Sequence, residues 1–417
     1  MAFDNASVIA TELEKVTTKL PEAFESDDKF FANIKKADVE KVSYRQLRAP
    51  LNLRPGGKFQ YFGPNGSDLG RGGGPKYDKA VLQPVFMSEN TEYTKLAQWG
   101  TDNDRKAVVN AVRKLTSGQL VELRRQIDAQ MQGSGNGVVG EISAVDATVV
   151  GTDQYTLTAE FGARLVRPDQ DIQVFDTTLA TNRGSATIVF YDVANSIIKV
   201  NANIAGAVAG DVLVVQGITS PASMPGLYGV PYHHSNASTG TWLGFNRATT
   251  PEIRSNGING NSSALSWPLP RRAINAIGNR VGIDKNFKAR AWMHPCQQQQ
   301  YEQMGFNVSI IQKQPRQEGL NLYFGDDMQM AGAPVMPHFN WSKERIDFVV
   351  DSVWHRAEIL PIGFYTTDGR NIFELRGPSG GVMTADIFYM VVGMQTYVDN
   401  PASTSYIFDL SIPAGYN

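Results

Sequence analysis

The chain has 417 residues, with 39 Lys and Arg against 41 Asp and Glu, and a formal net charge of −2. That balance argues against a dedicated nucleic-acid-binding protein, which normally carries a basic excess. The single cysteine, Cys296, excludes an intramolecular disulfide framework and a zinc site built from cysteines. No stretch approaches the roughly 20 apolar residues of a membrane-spanning helix. The first residues also lack the basic and apolar regions of a signal peptide, so we expect a chain that folds in the cytoplasm.

Residues 1–45 form the first segment, in which a short amphipathic run is followed by a mixed, charged stretch with few apolar anchors. A segment with so little core of its own must lie on another surface to offset the entropy lost on ordering. We therefore predict an extended N-terminal arm.

Residues 46–95 contain two strand-like runs on either side of a tip, in which eight of the thirteen residues from Gly63 to Pro75 are Gly or Pro. This pattern predicts a long hairpin. Such a hairpin is poorly stable unless it packs on something. We expect an element that contacts a neighbouring subunit, and a lid or a disordered loop remains as an alternative.

Residues 96–140 are dominated by an amphipathic helix predicted over 101–132, where apolar residues recur at helical spacing and charged residues lie between them. Thr116–Gly118 offers a point at which the helix kinks or restarts. Glycines able to adopt the positive φ of a helix C-cap then follow: Gly133, Gly135 and Gly137.

Residues 141–218 read as six short, alternating, β-branched strands separated by turn signals, which predicts a small antiparallel barrel or sandwich. Residues 219–384 mix helices and strands. Residues 385–417 are mainly strand.

Motifs that carry chemistry are weak. Gly135–Gly140 matches G-x-G-x-x-G, but a helix precedes it and strands follow, which is the wrong polarity for dinucleotide binding. The five histidines lack metal-ligand spacing, and no nucleophile elbow is present. Cys296, at a predicted helix start, is better explained as a buried small residue than as a nucleophile. We predict no catalytic residue, no cofactor and no metal.

Three stretches of the sequence resemble a known protein family. The longest is Pro225–Arg254, PGLYGVPYHHSNASTGTWLGFNRATTPEIR, and the others are Asp128–Gly137 and Trp292–Pro295. The Pro-Gly-Leu turn and the following Trp-x-Gly-x-Asn-Arg-Ala-Thr-x-Pro strand resemble the major capsid proteins of tailed double-stranded DNA bacteriophages. The order of arm, hairpin, long helix and strands is also similar to that family.

The resemblance implies an α+β tailed-phage major capsid fold. Residues 1–45 would be the N-terminal arm, 46–95 the E-loop, 96–140 the spine helix region of the peripheral domain, 219–384 mainly the axial domain, and 385–417 the closing peripheral strands. Because nearly 90 residues separate two turns that lie close together in the family, 141–218 would be an inserted β domain. The family also implies intersubunit contacts by Lys58, Phe59, Tyr61, Arg71, Lys76, Tyr77, Arg124 and Arg125, and a structural turn at Gly133, Gly135, Gly137, Pro225 and Gly226.

By the same resemblance, the chain would build hexamers and pentamers of an icosahedral head in the virion. Its partners would be a separate scaffolding protein, a portal protein, possible decoration proteins on the inserted domain and weakly contacted double-stranded DNA. We expect no large cleaved segment. The alternatives are a nanocompartment shell of the same fold and, from another class, a β-rich carbohydrate-binding or hydrolytic protein.

Overall fold

The computed structural model describes residues 28–54, 56–57, 59, 61, 72–94, 105–146, 153–282, 288–309, 328–367, 370–377 and 379–416, without the side chains of 54, 94, 105–115 and 305–309. The chain divides into two compact units. The first unit comprises Met1–Phe31, Val85–Asp128 and Glu358–Met394. The second unit comprises Ala32–Pro84, Ala129–Ala357 and Gln395–Asn417.

Helices and strands alternate irregularly along the chain. The helices are α1 (Lys29–Asn33), α2 (Arg105–Gln130), α3 (Val230–His233), α4 (Pro268–Val281) and α5 (Pro295–Ser309). Short 3-10 helices lie at Pro221–Ser223, Pro251–Ile253, Asp351–Val353 and Pro401–Ser403. The strands are β1 (Lys35–Lys36), β2 (Glu40–Ser43), β3 (Gln46–Arg54), β4 (Lys76–Leu82), β5 (Val85–Thr94), β6 (Val138–Asp146), β7 (Gln154–Leu157), β8 (Asp171–Phe175), β9 (Asn182–Asp192), β10 (Ile197–Val200), β11 (Val212–Val215), β12 (Thr241–Trp242), β13 (Phe245–Asn246), β14 (Asn256–Ser263), β15 (Ala289–Met293), β16 (Gln329–Met330), β17 (Ala333–Pro337), β18 (Ile346–Val350), β19 (Trp354–Phe364), β20 (Phe373–Arg376), β21 (Val382–Val398) and β22 (Ser405–Leu410).

Within the first unit, β21 is the central strand. It pairs antiparallel with β5 along ten residues, from Met394 opposite Val85 to Ala385 opposite Thr94, and its first residues also pair with β20. The long helix α2 is continuous through Thr116–Gly118, so the helix does not restart there. One glycine costs about 1 kcal/mol in a helix. After Gly118 the residues Leu123 and Ile127 are buried, whereas Leu120 is exposed.

The core of the second unit is a sheet in the order β14-β22-β18-β15-β17-β16, against which α4 packs. The apolar side of α4 is buried there through Leu269, Ala273, Ile274 and Ile277. In this sheet β22 pairs in parallel with β14 and antiparallel with β18. The predicted closing segment 385–417 is therefore divided, since most of β21 lies in the first unit and β22 completes a sheet of the second.

The segment after α2 forms a closed barrel in the strand order β10-β7-β6-β11-β8-β9, with every neighbouring pair antiparallel. Alternate side chains fill its interior, among them Ile142, Tyr155, Ile188 and Leu213. Of the two arrangements predicted for these six strands, a barrel or a sandwich, the structure has the barrel, with strands running from 138 to 215.

The predicted hairpin is shorter than 46–95. Strands β3 and β4 pair antiparallel from Leu47 opposite Leu82 to Arg54 opposite Lys76, and β2 adds a third strand. After Gln83 and Pro84 the chain leaves this sheet, and β5 joins the first unit instead. Proline has no N–H with which to continue a ladder, which explains the break at this position.

Candidate intersubunit surfaces and the glycine turn

The far end of the hairpin exposes aromatic side chains. Phe59, Tyr61 and Tyr77 are 85%, 92% and 69% exposed, and the first two meet edge to face with ring centroids 5.3 Å apart. Residues 72–79, including Lys76, are all exposed. Lys58 and Arg71 lie outside the described residues. Large aromatic side chains in water mark a surface that associates with something else.

The other end of the hairpin is anchored. Its inward-facing residues are buried: Leu47, Ala49, Leu51, Ala80 and Leu82. The N–H of Val81 donates to the carbonyl oxygen of Leu243 at 3.0 Å, which ties β4 to the loop between β12 and β13. The base is thus held by its own chain, while Phe59, Tyr61 and Tyr77, further along the hairpin, leave apolar surface exposed.

Of the two arginines predicted on α2, only one is accessible. Arg124 is partly exposed, pairs with Asp28 at 2.7 Å and lies over the ring of Phe31. Arg125 is 1% exposed and binds Glu122 at 2.6 Å. This placement differs from the prediction that Arg125 contacts a neighbour directly, because its guanidinium group is enclosed by its own chain.

A second carboxyl group lies beside this ion pair. Burial, followed by repulsion from Glu122, raises the pKa of Glu89 to about 7, with Arg125 acting in the opposite direction. The side-chain amide of Gln119 donates to the backbone carbonyl of Glu89 at 2.7 Å and so joins α2 to β5. Arg125 Nη1 and Gln119 Oε1 are buried with no hydrogen-bond partner among the described residues.

We expect Glu89→Gln to alter the pH dependence of stability. Folding raises the pKa of Glu89, so the folded state binds the extra proton, and this stabilisation is lost as pH rises from about 4.5 through 7. The neutral amide removes that loss. By urea unfolding, the advantage of Glu89→Gln over wild type should grow by about 1–2 kcal/mol between roughly pH 5 and 8, after discounting for partial exposure. Glu92→Gln, on the same strand, is the control, and parallel curves for Glu89→Gln and wild type would contradict the expectation.

The turn after α2 uses glycines, but they do not form the C-cap that the sequence predicts, because α2 ends at Gln130 and Gly133 is not among the glycines of positive φ. Gly135 and Gly137 have φ angles of 94° and 72°, which only glycine adopts freely. A Cβ atom on them would lie 2.7 Å from the Tyr228 ring and 2.2 Å from Ile218 Cδ1, respectively. Gly133 has more room, with the nearest atom 3.4 Å from its ideal Cβ position.

The second predicted turn packs directly on the first. Gly226 N–H donates to the carbonyl oxygen of Gly135 at 2.7 Å, and a Cβ at Gly226 would lie 2.9 Å from that oxygen. Pro225 beside it is exposed. The two turns, nearly 90 residues apart in sequence, are therefore in contact, with the barrel as the excursion between them.

Sequence reasoning missed the most crowded glycine. At Gly229 a Cβ would lie 2.0 Å from the carbonyl oxygen of Met131 and 2.4 Å from that of Gly133. The next N–H, of Val230, donates to the same Met131 oxygen at 2.8 Å and begins α3. The Gly-x-x-Gly spacing of Gly226 and Gly229 after Pro225 was visible in the sequence, but the backbone opposite them was not.

Behind the turn lies a buried polar network that the sequence did not predict. Asp347 is fully buried and accepts two hydrogen bonds from Arg345, each at 2.8 Å. It also accepts one from Trp341 Nε1 at 3.1 Å, and Nδ1 of His234 lies 2.8 Å away. Burial raises the pKa of Asp347, but Arg345 and His234 together hold it below its usual value.

The two histidines of the network are fixed by their tryptophan neighbours. Trp354 Nε1 donates to His234 Nε2 at 3.3 Å, so His234 Nδ1 carries the proton donated to Asp347. Trp242 Nε1 donates to His233 Nδ1 at 3.1 Å, which leaves His233 Nε2 to donate to Thr396. Burial lowers the pKa of both imidazoles, so both are neutral rings serving structure.

The remaining chemical candidates give no site. Cys296 is buried, and burial raises the pKa of its thiol to about 11, which disfavours the thiolate. Among the described residues, no group of three His, Cys, Asp or Glu is placed to hold a metal ion. In the same part of the chain, no helix has both the length and the apolar character to cross a membrane.

No protein-family model matches this sequence, and no curated protein matches it. Solved structures do match this chain. A chain of the cyanophage A-1(L) capsid asymmetric unit superposes with a TM-score of 0.56 at 11% identity, covering 95% of this chain and 96% of that one. The capsid of Myoviridae phage XM1 gives 0.45 at 10%, covering 96% and 97%. The holo-SrpI encapsulin complex from Synechococcus elongatus PCC 7942 gives 0.45 at 8%, covering 97% and 95%.

The first of these similarities extends over almost the whole of both chains. The chain therefore has the phage capsid fold that the sequence resemblance predicted, in an α+β architecture.

Proposed function

We propose that this protein is a major capsid protein, a structural subunit that assembles into hexamers and pentamers of an icosahedral phage head around double-stranded DNA. The observation that carries the proposal is the capsid fold over nearly the whole chain. The hairpin supports it, because its base is buried in its own subunit while Phe59, Tyr61 and Tyr77, further along it, are exposed. In this role the chain needs no catalytic centre and no cofactor.

Several partners follow from the role. Subunits would assemble in the host cytoplasm with a separate scaffolding protein, and a portal protein would occupy one vertex. The barrel, as an added domain, is a candidate binding site for decoration proteins. Arg124, Lys76 and the hairpin aromatic residues are the side chains we propose for contacts between subunits, together with Lys58 and Arg71.

Expression of the full chain, alone and with its scaffold, tests the function. Size-exclusion light scattering with negative-stain microscopy should reveal closed shells, tubes or isolated capsomers. A chain that remains monomeric in both cases would contradict the proposal. The shell contents separate two versions of it, because packaged DNA indicates a phage head and packaged protein cargo indicates a nanocompartment.

We expect replacement of Phe59, Tyr61 and Tyr77 by Ser to abolish shell formation while leaving the melting temperature of the subunit unchanged. Aromatic anchors at interfaces typically contribute about 2 kcal/mol or more each, and these three contribute little to their own subunit because they are exposed. Light scattering and thermal melting measure the two effects. The matched control replaces three exposed apolar residues of the barrel, Phe190, Val193 and Val208, by Ser. If the hairpin variant still formed normal shells, the proposed role of these three residues in contacts between subunits would be wrong.

A further inference from the structure

The segment from 247 to 281 is a basic island in a chain of net charge −2. It contains five arginines and one acidic residue: Arg247, Arg254, Arg271, Arg272, Arg280 and Glu252. An imbalance of this size raises the local positive potential and attracts polyanions. Whether a guanidinium group is available to a partner depends on the contacts it already makes within the chain.

Three of the arginines hold the loop before α4 in place. Arg247 donates to the carbonyl oxygens of Tyr232 and Ser235, both at 2.9 Å, which explains the Asn-Arg-Ala-Thr motif. Arg254 donates to the carbonyl oxygen of Arg247 at 2.8 Å, and Arg280 donates to that of Arg254 at 2.5 Å. Carbonyl oxygens are uncharged, so these bonds orient the guanidinium groups without cancelling their charge.

The other two arginines lie on the exposed side of α4. At about 100° per residue, Arg271, Arg272, Asn275 and Asn279 fall within an arc of roughly 100°, on the side away from the buried Ile277. All four are exposed, and none has an ion pair or hydrogen bond among the described residues. The face is about 12 Å long. These four positions carry no acidic and no apolar side chain, and Trp267, one turn before Arg271 and 47% exposed, lies at their edge.

We infer that this face of α4, formed by Arg271, Arg272, Asn275 and Asn279, binds the phosphate backbone of duplex DNA. Guanidinium and amide groups are the donors that proteins use to hold phosphates without reading sequence. A protein partner would normally find an aromatic or aliphatic anchor at the centre of its contact, and these four side chains offer none. The inference rests on the proposed function, since the shell is what brings duplex DNA to this surface.

Fluorescence anisotropy with the unassembled full chain and a DNA duplex tests the inference. Each phosphate contact contributes about −0.9 to the slope of log K against log salt. Between about 50 and 200 mM salt, wild type should therefore lose roughly 10-fold more affinity than Arg271→Gln/Arg272→Gln. Arg271→Lys/Arg272→Lys keeps the charge and should bind as wild type does. Arg370→Gln/Arg376→Gln, the same charge change outside α4, is the matched control. An unbound wild type, or equal salt slopes for wild type and the Gln variant, would overturn the inference.

Microscopy of the same variants separates this inference from the function on which it rests. If the Gln variant binds DNA normally but builds no shells, the face is an interface between copies and the inference is wrong. If no protein builds shells yet DNA binding follows the arginines, the binding face stands and the proposed function fails. Normal shells together with weakened DNA binding support both.

Discussion

Replacement of Asp347 by Ala should lower the free energy of unfolding by roughly 3–5 kcal/mol. The carboxylate is fully buried and accepts four hydrogen bonds, two from Arg345, one from Trp341 and one from His234. Removing it takes away the ion-pair partner of Arg345, which keeps only its bond to the carbonyl oxygen of His234 and its contact with the Tyr406 ring. It also leaves two buried ring donors unsatisfied, which is the costly way to break a buried pair.

Urea unfolding of the soluble subunit measures this loss. Asp399→Ala is the matched control, with Asp399→Asn for the amide variant, because Asp399 binds His355 at 2.7 Å but is 46% exposed, and exposed pairs contribute about 1 kcal/mol or less. A loss for Asp347→Ala no larger than that of the control would mean that the network adds nothing to stability. Should the protein prove insoluble, Asp347→Asn keeps the shape and retains part of the acceptor capacity for the same comparison.

Gly229→Ala is the second change for which we expect a large effect. A methyl group there would lie 2.0 Å from the carbonyl oxygen of Met131, which is backbone and has no rotamer into which to move. Ordinary overpacking costs about 1–3 kcal/mol, and this clash should exceed that range, since both the end of α2 and the start of α3 must shift. We expect little soluble protein, with a lowered melting temperature in whatever remains.

A glycine elsewhere provides the comparison for Gly229. Gly381 is exposed, has ordinary backbone geometry and has no atom within 4 Å of its ideal Cβ position. Gly381→Ala should therefore leave yield and melting temperature unchanged. Equal behaviour of the two alanine variants would show that the turn at Gly229 adapts, and that its close packing is not required.

Local patterns in the sequence were enough for the elements that depend on local physics. The apolar stripe of α2, the positive-φ glycines Gly135 and Gly137, and the six β-branched strands of the barrel each follow from periodicity or turn chemistry. All of these features are decided within a few residues of chain. The contact residues proposed on the hairpin came from the resemblance instead, and the structure leaves Phe59, Tyr61 and Tyr77 exposed.

The features that the sequence did not predict depend on residues that lie far apart in the chain. Asp347 and His234 are 113 residues apart in the sequence, and the whole barrel segment separates Met131 from Gly229. No short window of sequence therefore contains both partners of either contact. The histidines were assessed by their spacing in the sequence. That spacing can indicate a metal site on one helix, but it cannot indicate a neutral histidine ring that packs between two tryptophans. The transfer of β5 to another sheet was signalled by Pro84, but its partner strand lies some 300 residues further on.

The barrel has one more property that follows from how it is attached. The carbonyl oxygen of Gly137, just before β6, accepts the N–H of Val215, at the end of β11, at 3.0 Å. The chain therefore leaves and returns at a single point, so the barrel can be exchanged like a cassette without rerouting the backbone on either side. Related chains could therefore vary the barrel while the rest of the fold stays fixed. For protein engineering, the same point marks where a foreign domain can replace the barrel.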